Sequence, residues 1–362
     1  MEIGIVGLPF SGKTTLFSTL TGLEVKVTHV MGKFEAHRGT VKIPDQRLDN
    51  LFNILKPKKQ VNATIEYIEA GGLESQQMKG KGFDPQFLAI LKTTQALCLV
   101  LQAFENEAIP HPEGSVNPIR DLRLVESEFI LSDLSIVENR LARLEKQILQ
   151  SKSEADIREK ELLLKFREFL EQGKPLREYS LTADEQLRIR GFQFLSAKPL
   201  LIAVNYGESQ LGKEDTILST LSEFQNRPQL KITGLCAKIE LEISQLAEAD
   251  RQQFLEEMKI IEPAFYKIIH ASYRLLGLIS FFTFNENECR AWNIPAGTPA
   301  QRAAGTVHTD MERGFIRAEV VNYNDFIKYG SIAHCREHGV LRLEGKDYIV
   351  QDGDMMTIRF HV

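Results

Sequence analysis

Gly7-Leu8-Pro9-Phe10-Ser11-Gly12-Lys13-Thr14-Thr15 reads GxxxxGK[ST], the pattern of a phosphate-binding loop. Before it stands Ile3-Gly4-Ile5-Val6, an apolar run suited to a buried parallel strand. After it, Thr15-Leu16-Phe17-Ser18-Thr19-Leu20 suits the start of a helix. Strand, glycine loop and helix in that order are the context this pattern requires. Glycines let backbone N–H groups turn inward around an anion, and a helix N-terminus adds the positive end of its dipole. Phe10, Ser11, Gly12, Lys13, Thr14 and Thr15 are therefore the expected phosphate-binding residues. Lys13 supplies a charge for the β- and γ-phosphates and is expected to face solvent without ligand. Thr14 offers a hydroxyl to Mg²⁺.

At 362 residues the chain is too long for one ordinary core. Its 26% charged and 43% hydrophobic fractions are those of a globular protein. No run of about eighteen apolar residues suggests a membrane span. The first strand begins so close to Met1 that no signal peptide is expected. Cys98, Cys236, Cys289 and Cys335 are scattered and form no CxxC pair, which points to reduced thiols and a cytoplasmic location. A net charge of -5 argues against a chain that coats nucleic acid over its whole surface, though not against a local basic face.

Strand-like runs at Thr64–Ile68, Ala96–Leu101 and Pro199–Val204 alternate with helical stretches and imply a parallel sheet. Between the last two, Ile130, Leu134, Val137, Leu141, Leu144 and Ile148 recur at spacings of three and four, the seam of one helix face. Ser153 suits an N-cap for a second helix carrying Leu162, Phe166 and Phe169, which stops near Gly173-Lys174-Pro175. The pair reads as an antiparallel helical hairpin, either a partner-binding coiled coil or two helices packed on each other. From Leu278 onward the pattern is of short strands and turns, with strands expected at Tyr348-Ile349-Val350 and Met356–Phe360. The expected domains are a discontinuous nucleotide-binding α/β domain (1–120 and 195–277), an inserted helical domain (121–194) and a C-terminal domain (278–362).

Three further segments fall at strand ends, where an open parallel sheet binds its ligands. Glu69-Ala70-Gly71-Gly72 occupies the place of a DxxG signature, which would bring Glu69 near Mg²⁺, through water, and the Gly72 amide near the γ-phosphate. Asn205-Tyr206-Gly207-Glu208 stands where NKxD reads guanine in GTPases. Cys236-Ala237-Lys238 stands where an SAK-like turn backs the base. Asn205, Tyr206, Glu208, Cys236, Ala237 and Lys238 are the expected base-binding residues.

Over nearly its whole length the chain resembles the YchF group of Obg-related, translation-factor-class P-loop NTPases. The resemblance is carried by Pro44-Asp45-Gln46-Arg47-Leu48-Asp49, Asn117-Pro118-Ile119-Arg120-Asp121 and Ala237-Lys238-Ile239-Glu240. It is densest in Asn287-Glu288-Cys289-Arg290-Ala291-Trp292, Arg313–Val320 and Arg342–Asp354. It implies a P-loop parallel sheet, an inserted antiparallel α-helical hairpin and a C-terminal TGS domain with a β-grasp fold. It also implies ATP or GTP as the bound nucleotide, with ATP preferred through an NxxE motif that Asn205 and Glu208 match, and Mg²⁺ as cofactor. As partner it implies the ribosome or its RNA, met through the hairpin or through a C-terminal domain carrying Arg302, Arg313, Arg317 and Arg336.

The departures bear on hydrolysis. The family usually has Asn-Val where Phe10-Ser11 stand, Asp where Glu69 stands, and a threonine at the position of Lys33. Leu73, apolar as in the family, follows Gly72 where other GTPases place a water-orienting glutamine. Slow turnover is expected, and the alternative is a nucleotide-binding scaffold that has lost hydrolysis. A small-molecule P-loop kinase shares the loop motif but not the C-terminal pattern. Beside His334, Cys335 and His338 no carboxylate or further ligand to complete the histidine pair stands out, and they are read as surface or capping residues. Trp292, Phe281 and Phe282 are read as core rather than as a base-stacking platform.

Overall fold

The computed structural model describes residues 1–25, 35–71, 83–106, 111–151, 153–257 and 262–361. It divides into two compact units, Met1–Gly39 with Glu66–Ala271, and Thr40–Ile65 with Ser272–Val362. The chain opens with β1 (Glu2–Val6), α1 (Lys13–Thr21), β2 (Glu35–Lys42), α2 (Gln46–Leu55), β3 (Lys59–Val61) and β4 (Thr64–Gly71). It continues through α3 (Pro85–Thr93), β5 (Ala96–Gln102), α4 (Pro118–Ser151), α5 (Glu154–Glu171), α6 (Ala183–Ile189) and β6 (Leu200–Asn205). Then come α7 (Glu214–Ser219), β7 (Leu230–Leu235), α8 (Ala237–Gln245), α9 (Glu248–Glu257) and α10 (Ala264–Leu275). The last stretch holds β8 (Leu278–Phe284), β9 (Glu288–Pro295), α11 (Ala300–Val307), α12 (Thr309–Arg313) and β10 (Phe315–Asn322). It closes with α13 (Tyr323–Tyr329), α14 (Ile332–Glu337), β11 (Arg342–Glu344) and β12 (Asp354–Phe360).

The first unit is built on a six-stranded sheet in the order β2-β4-β1-β5-β6-β7. β1 runs parallel to β4 and β5, β5 to β6, and β6 to β7. Every residue of β5 and β6 is buried, which explains why both read as unbroken apolar runs: helices cover the two faces of a parallel sheet. The loops that follow β1, β6 and β7, and the end of β4, therefore gather at one carboxyl edge.

α4 and α5 form the hairpin. Ile130, Val137, Leu141 and Leu144 bury against Leu162, Leu163, Phe166 and Leu170, with Leu134 and Ile148 partly covered. The seam read from periodicity is the contact between the two helices. Ser153 does sit at the N-cap of α5, but its side chain makes no capping hydrogen bond. The foot of α4 is tied down by buried polar groups. The Asp133 carboxylate accepts from the Leu195 and Ser196 amides at 2.9 and 2.7 Å, and Glu126 pairs with the buried Arg177. Among the described residues no helix is long and apolar enough to cross a membrane.

The second unit carries a sheet in the order β11-β10-β12-β8-β9-β3. β8 and β9 form an antiparallel hairpin, β12 lies parallel to β8, and β10 is antiparallel to both β12 and β11. Ala300 and Ala303 of α11 pack on Phe281, Ile294, Ala318, Val320 and Met356, the β-grasp arrangement of a sheet holding a helix. Phe281 and Phe282 are fully buried and Trp292 donates its indole N–H to Thr283 at 2.9 Å, so these aromatics belong to the core. Tyr348–Val350 is not a strand: Ile349 makes a single bridge to Pro299. Its neighbours are fixed instead by Tyr348, which donates to Asp354 at 2.8 Å. Cys335 is buried, while His334 and His338 hydrogen-bond backbone carbonyls of their own segment.

Candidate functional site

The loop between β1 and α1 turns because two of its residues adopt left-handed backbone. Gly12 has φ 97° and Phe10 has φ 64°. At Gly12 a Cβ would lie 2.2 Å from Asn205 Nδ2, so the position admits only glycine. Leu16 N donates to Gly12 O at 2.9 Å, so α1 begins at Lys13. The first amides of α1, those of Lys13, Thr14 and Thr15, have no acceptor within the helix and point back toward the loop. Phe10 is 42% exposed, whereas Ser11 is buried and its hydroxyl has no hydrogen-bond partner among the described residues.

Lys13 corrects an expectation. Its side chain does not face solvent: the residue is 8% exposed and its ammonium donates to Leu8 O at 2.8 Å. An ammonium brought over a glycine loop is partly desolvated, and a loop carbonyl that accepts from it compensates in part. Thr14 donates its hydroxyl to Glu69 Oε1 at 2.5 Å, and Glu69, at the end of β4, is 1% exposed. A hydroxyl and a carboxylate oxygen in contact beside a helix N-terminus are hard donors of the kind Mg²⁺ takes. The residues present thus fit a Mg²⁺-bound phosphate group. Gly72, Lys33 and Leu73 lie outside the described residues.

The base-side residues divide by role. Asn205 Nδ2 donates to Ser11 O at 2.9 Å, and Asn205 Oδ1 accepts from Ala237 N at 3.0 Å. One buried amide thereby braces the phosphate loop against the start of α8. Tyr206 is buried in the sheet core, its ring so close to Gly234 that a Cβ there would meet it at 3.0 Å; burial raises its phenol pKa. Cys236 is a buried N-cap of α8, and desolvation raises its thiol pKa; the SAK-like segment is thus a helix start rather than a free turn. Glu208 and Lys238 are exposed and pair with each other at 2.5 Å. One contributor escaped the sequence reading. Gln210 accepts from Gly207 N at 2.7 Å and donates to Ala103 O at 2.9 Å, fixing the turn that carries Glu208. Ser11, expected as a phosphate-binding residue, also accepts from Asn205 through its carbonyl, a contact that no side-chain pattern reveals.

Glycine loop, helix N-terminus, Lys13, the Thr14–Glu69 pair and the Asn205 brace, all at the carboxyl edge of a parallel sheet, define a P-loop NTPase of the GTPase class. Residues 2–140 match a family model described as a 50S ribosome-binding GTPase, and residues 278–361 match the C-terminal model of YchF GTPases, described as a protein of unknown function. The chain is 39% identical to the ribosome-binding ATPase YchF of Pasteurella multocida, over 100% of this chain and 99% of that protein. Against the Bacillus subtilis protein of the same name it is 38% identical, with 100% of each covered. The solved structure of the Schizosaccharomyces pombe YchF GTPase superposes with a TM-score of 0.87 at 29% identity, covering 99% of this chain and 97% of that one. The chain belongs to the YchF family.

Proposed function

We propose that this protein binds ATP with Mg²⁺ at the carboxyl edge of its parallel sheet, hydrolyses it slowly, and works in the cytoplasm in association with the ribosome. The observation that carries the nucleotide site is the contact of Thr14 with the buried Glu69 beside Lys13, at the mouth of a left-handed Gly12 turn. Lys13 would exchange its Leu8 carbonyl for phosphate oxygens, and the α1 amides would donate to the same phosphates. Thr14 would hold Mg²⁺ directly and Glu69 through water. Bound Mg²⁺ supplies neutralisation of the charge on the transferring phosphoryl group. Gly72 would donate its amide to the γ-phosphate.

On the base side Asn205 positions the loops, and Glu208 replaces the aspartate that accepts from guanine N1–H and its 2-amino group. Adenine offers neither donor, and Glu208, one methylene longer than aspartate and exposed, removes the selection for guanine that a fitted aspartate would impose. Ribosome association is supported by the names of the relatives, and the hairpin and C-terminal unit are the surfaces proposed to make it. A second reading, a nucleotide-binding scaffold without hydrolysis, is favoured by Glu69, one methylene longer than the family's aspartate.

Isotherms for ATP and GTP with Mg²⁺, on the wild type and on Lys13→Ala, test the site. ATP is expected to bind at least as tightly as GTP, and Lys13→Ala to lose measurable binding of both. Unchanged ATP affinity in the variant would remove the site, and a tenfold wild-type preference for GTP would remove the base assignment. Single-turnover phosphate release separates slow hydrolysis from the scaffold.

A further inference from the structure

Three of the four residues from Asn205, the last of β6, to Glu208 offer no free side chain to a base. The Asn205 amide spans Ser11 and Ala237, the Tyr206 ring lies in the core, and Gly207 has no side chain. Glu208 alone projects, and its Oε1 sits 2.5 Å from Lys238 Nζ. Both backbones are anchored. Glu208 opens a short 3₁₀ turn locked by Gln210 to Ala103, and Lys238 lies in the first turn of α8, whose Ala237 amide is held by Asn205. The hydrogen bond to Glu208 raises the Lys238 ammonium pKa above its ordinary value.

We propose that Lys238 is a specificity-determining residue: by holding Glu208 it keeps this carboxylate from reading guanine and so sets the purine preference. The proposal rests on the base site described above. Guanine presents N1–H and a 2-amino group side by side, a match for the two oxygens of an unencumbered carboxylate. With Oε1 on Lys238, guanine must displace an ammonium to be read. Adenine has no donor at N1 or C2 and displaces nothing. The pair is more than half exposed, so its effect is modest and weakens with salt.

The readout is the ratio of GTP to ATP affinity, measured by calorimetry on the full chain. Lys238→Met is expected to shift the ratio toward GTP by about fivefold, equivalent to about 1 kcal/mol. Lys238→Arg should keep the wild-type ratio, and Glu208→Gln added to Lys238→Met should cancel the shift. Raising salt should move the wild-type ratio toward GTP, because phosphate screening is common to both nucleotides and cancels. In Lys238→Met the ratio should be insensitive to salt. Failure of the wild type to bind either nucleotide would refute the base site itself. Binding of both, with a ratio that Lys238→Met leaves in place or moves toward ATP, would overturn this proposal alone.

Discussion

At the scale of single residues, the phosphate loop holds one conformational cost. Phe10 adopts φ 64° with its ring 42% exposed, so little burial offsets the left-handed backbone. For an L-residue other than glycine that conformation costs roughly 1–2 kcal/mol, and asparagine tolerates it better. Asparagine is also what the family usually carries there. Phe10→Asn is therefore expected to raise the unfolding free energy by about 1 kcal/mol. Urea denaturation of the nucleotide-free protein measures this, and an unchanged or lower midpoint would show that the loop is not strained at Phe10.

At the scale of elements, the hairpin is joined to its unit through a buried acid. Asp133 of α4 is fully buried, and desolvation pushes its pKa up from 3.8 to about 6, more than its two backbone hydrogen bonds lower it. Because the folded value lies above the unfolded one, the folded state binds more protons between the two. Asp133's contribution to stability is thus fully present below about pH 4 and is lost as pH rises through 6. At about 1.4 kcal/mol per pKa unit the swing is up to about 3 kcal/mol. Asp133→Asn is neutral throughout but keeps only one acceptor oxygen, so it loses one amide hydrogen bond at every pH. The difference in unfolding free energy between Asp133→Asn and wild type should move in the variant's favour from pH 4 to pH 7. A difference that stays constant over that range would contradict the assignment.

At the scale of the whole molecule, sequence position alone does not separate the two units. β3, from residues 59–61, pairs in parallel with β9, matching Lys59 to Glu288 and Val61 to Arg290. A cut before Leu278 would strip β3 of its partner, so ribosome association is better tested in the full chain. Of the arginines expected to meet RNA, Arg302 pairs with Glu312 at 3.4 Å and Arg336 with Glu319 at 3.5 Å. Arg313 and Arg317 are exposed and make no ion pair with a described residue. Under the ribosome hypothesis, Arg313→Glu with Arg317→Glu should weaken co-sedimentation with ribosomes at low salt. The slope of log affinity against log salt should fall by about one for each phosphate that is no longer neutralised. Pelleting that matches wild type at every salt concentration would remove these two arginines from the interface.

What the chain determines by itself is whatever depends on neighbours along it. GxxxxGK[ST] between an apolar run and a helix start specifies the loop. Unbroken apolar runs specify β5 and β6, and spacings of three and four specify the α4–α5 seam, because one-sided burial leaves its period in the sequence. The jobs of the site residues were decided by tertiary structure. Asn205 acts as a brace because β1 and β6 flank β5, which brings Ser11 and Ala237 within reach of one amide. Tyr206 enters the core rather than lining a base, and Lys13 folds onto Leu8. Glu208 meets Lys238, thirty residues on, because β6 and β7 end side by side. Hydrogen bonds and ion pairs between distant residues leave no period. They exist only once strand order has placed their strand ends together.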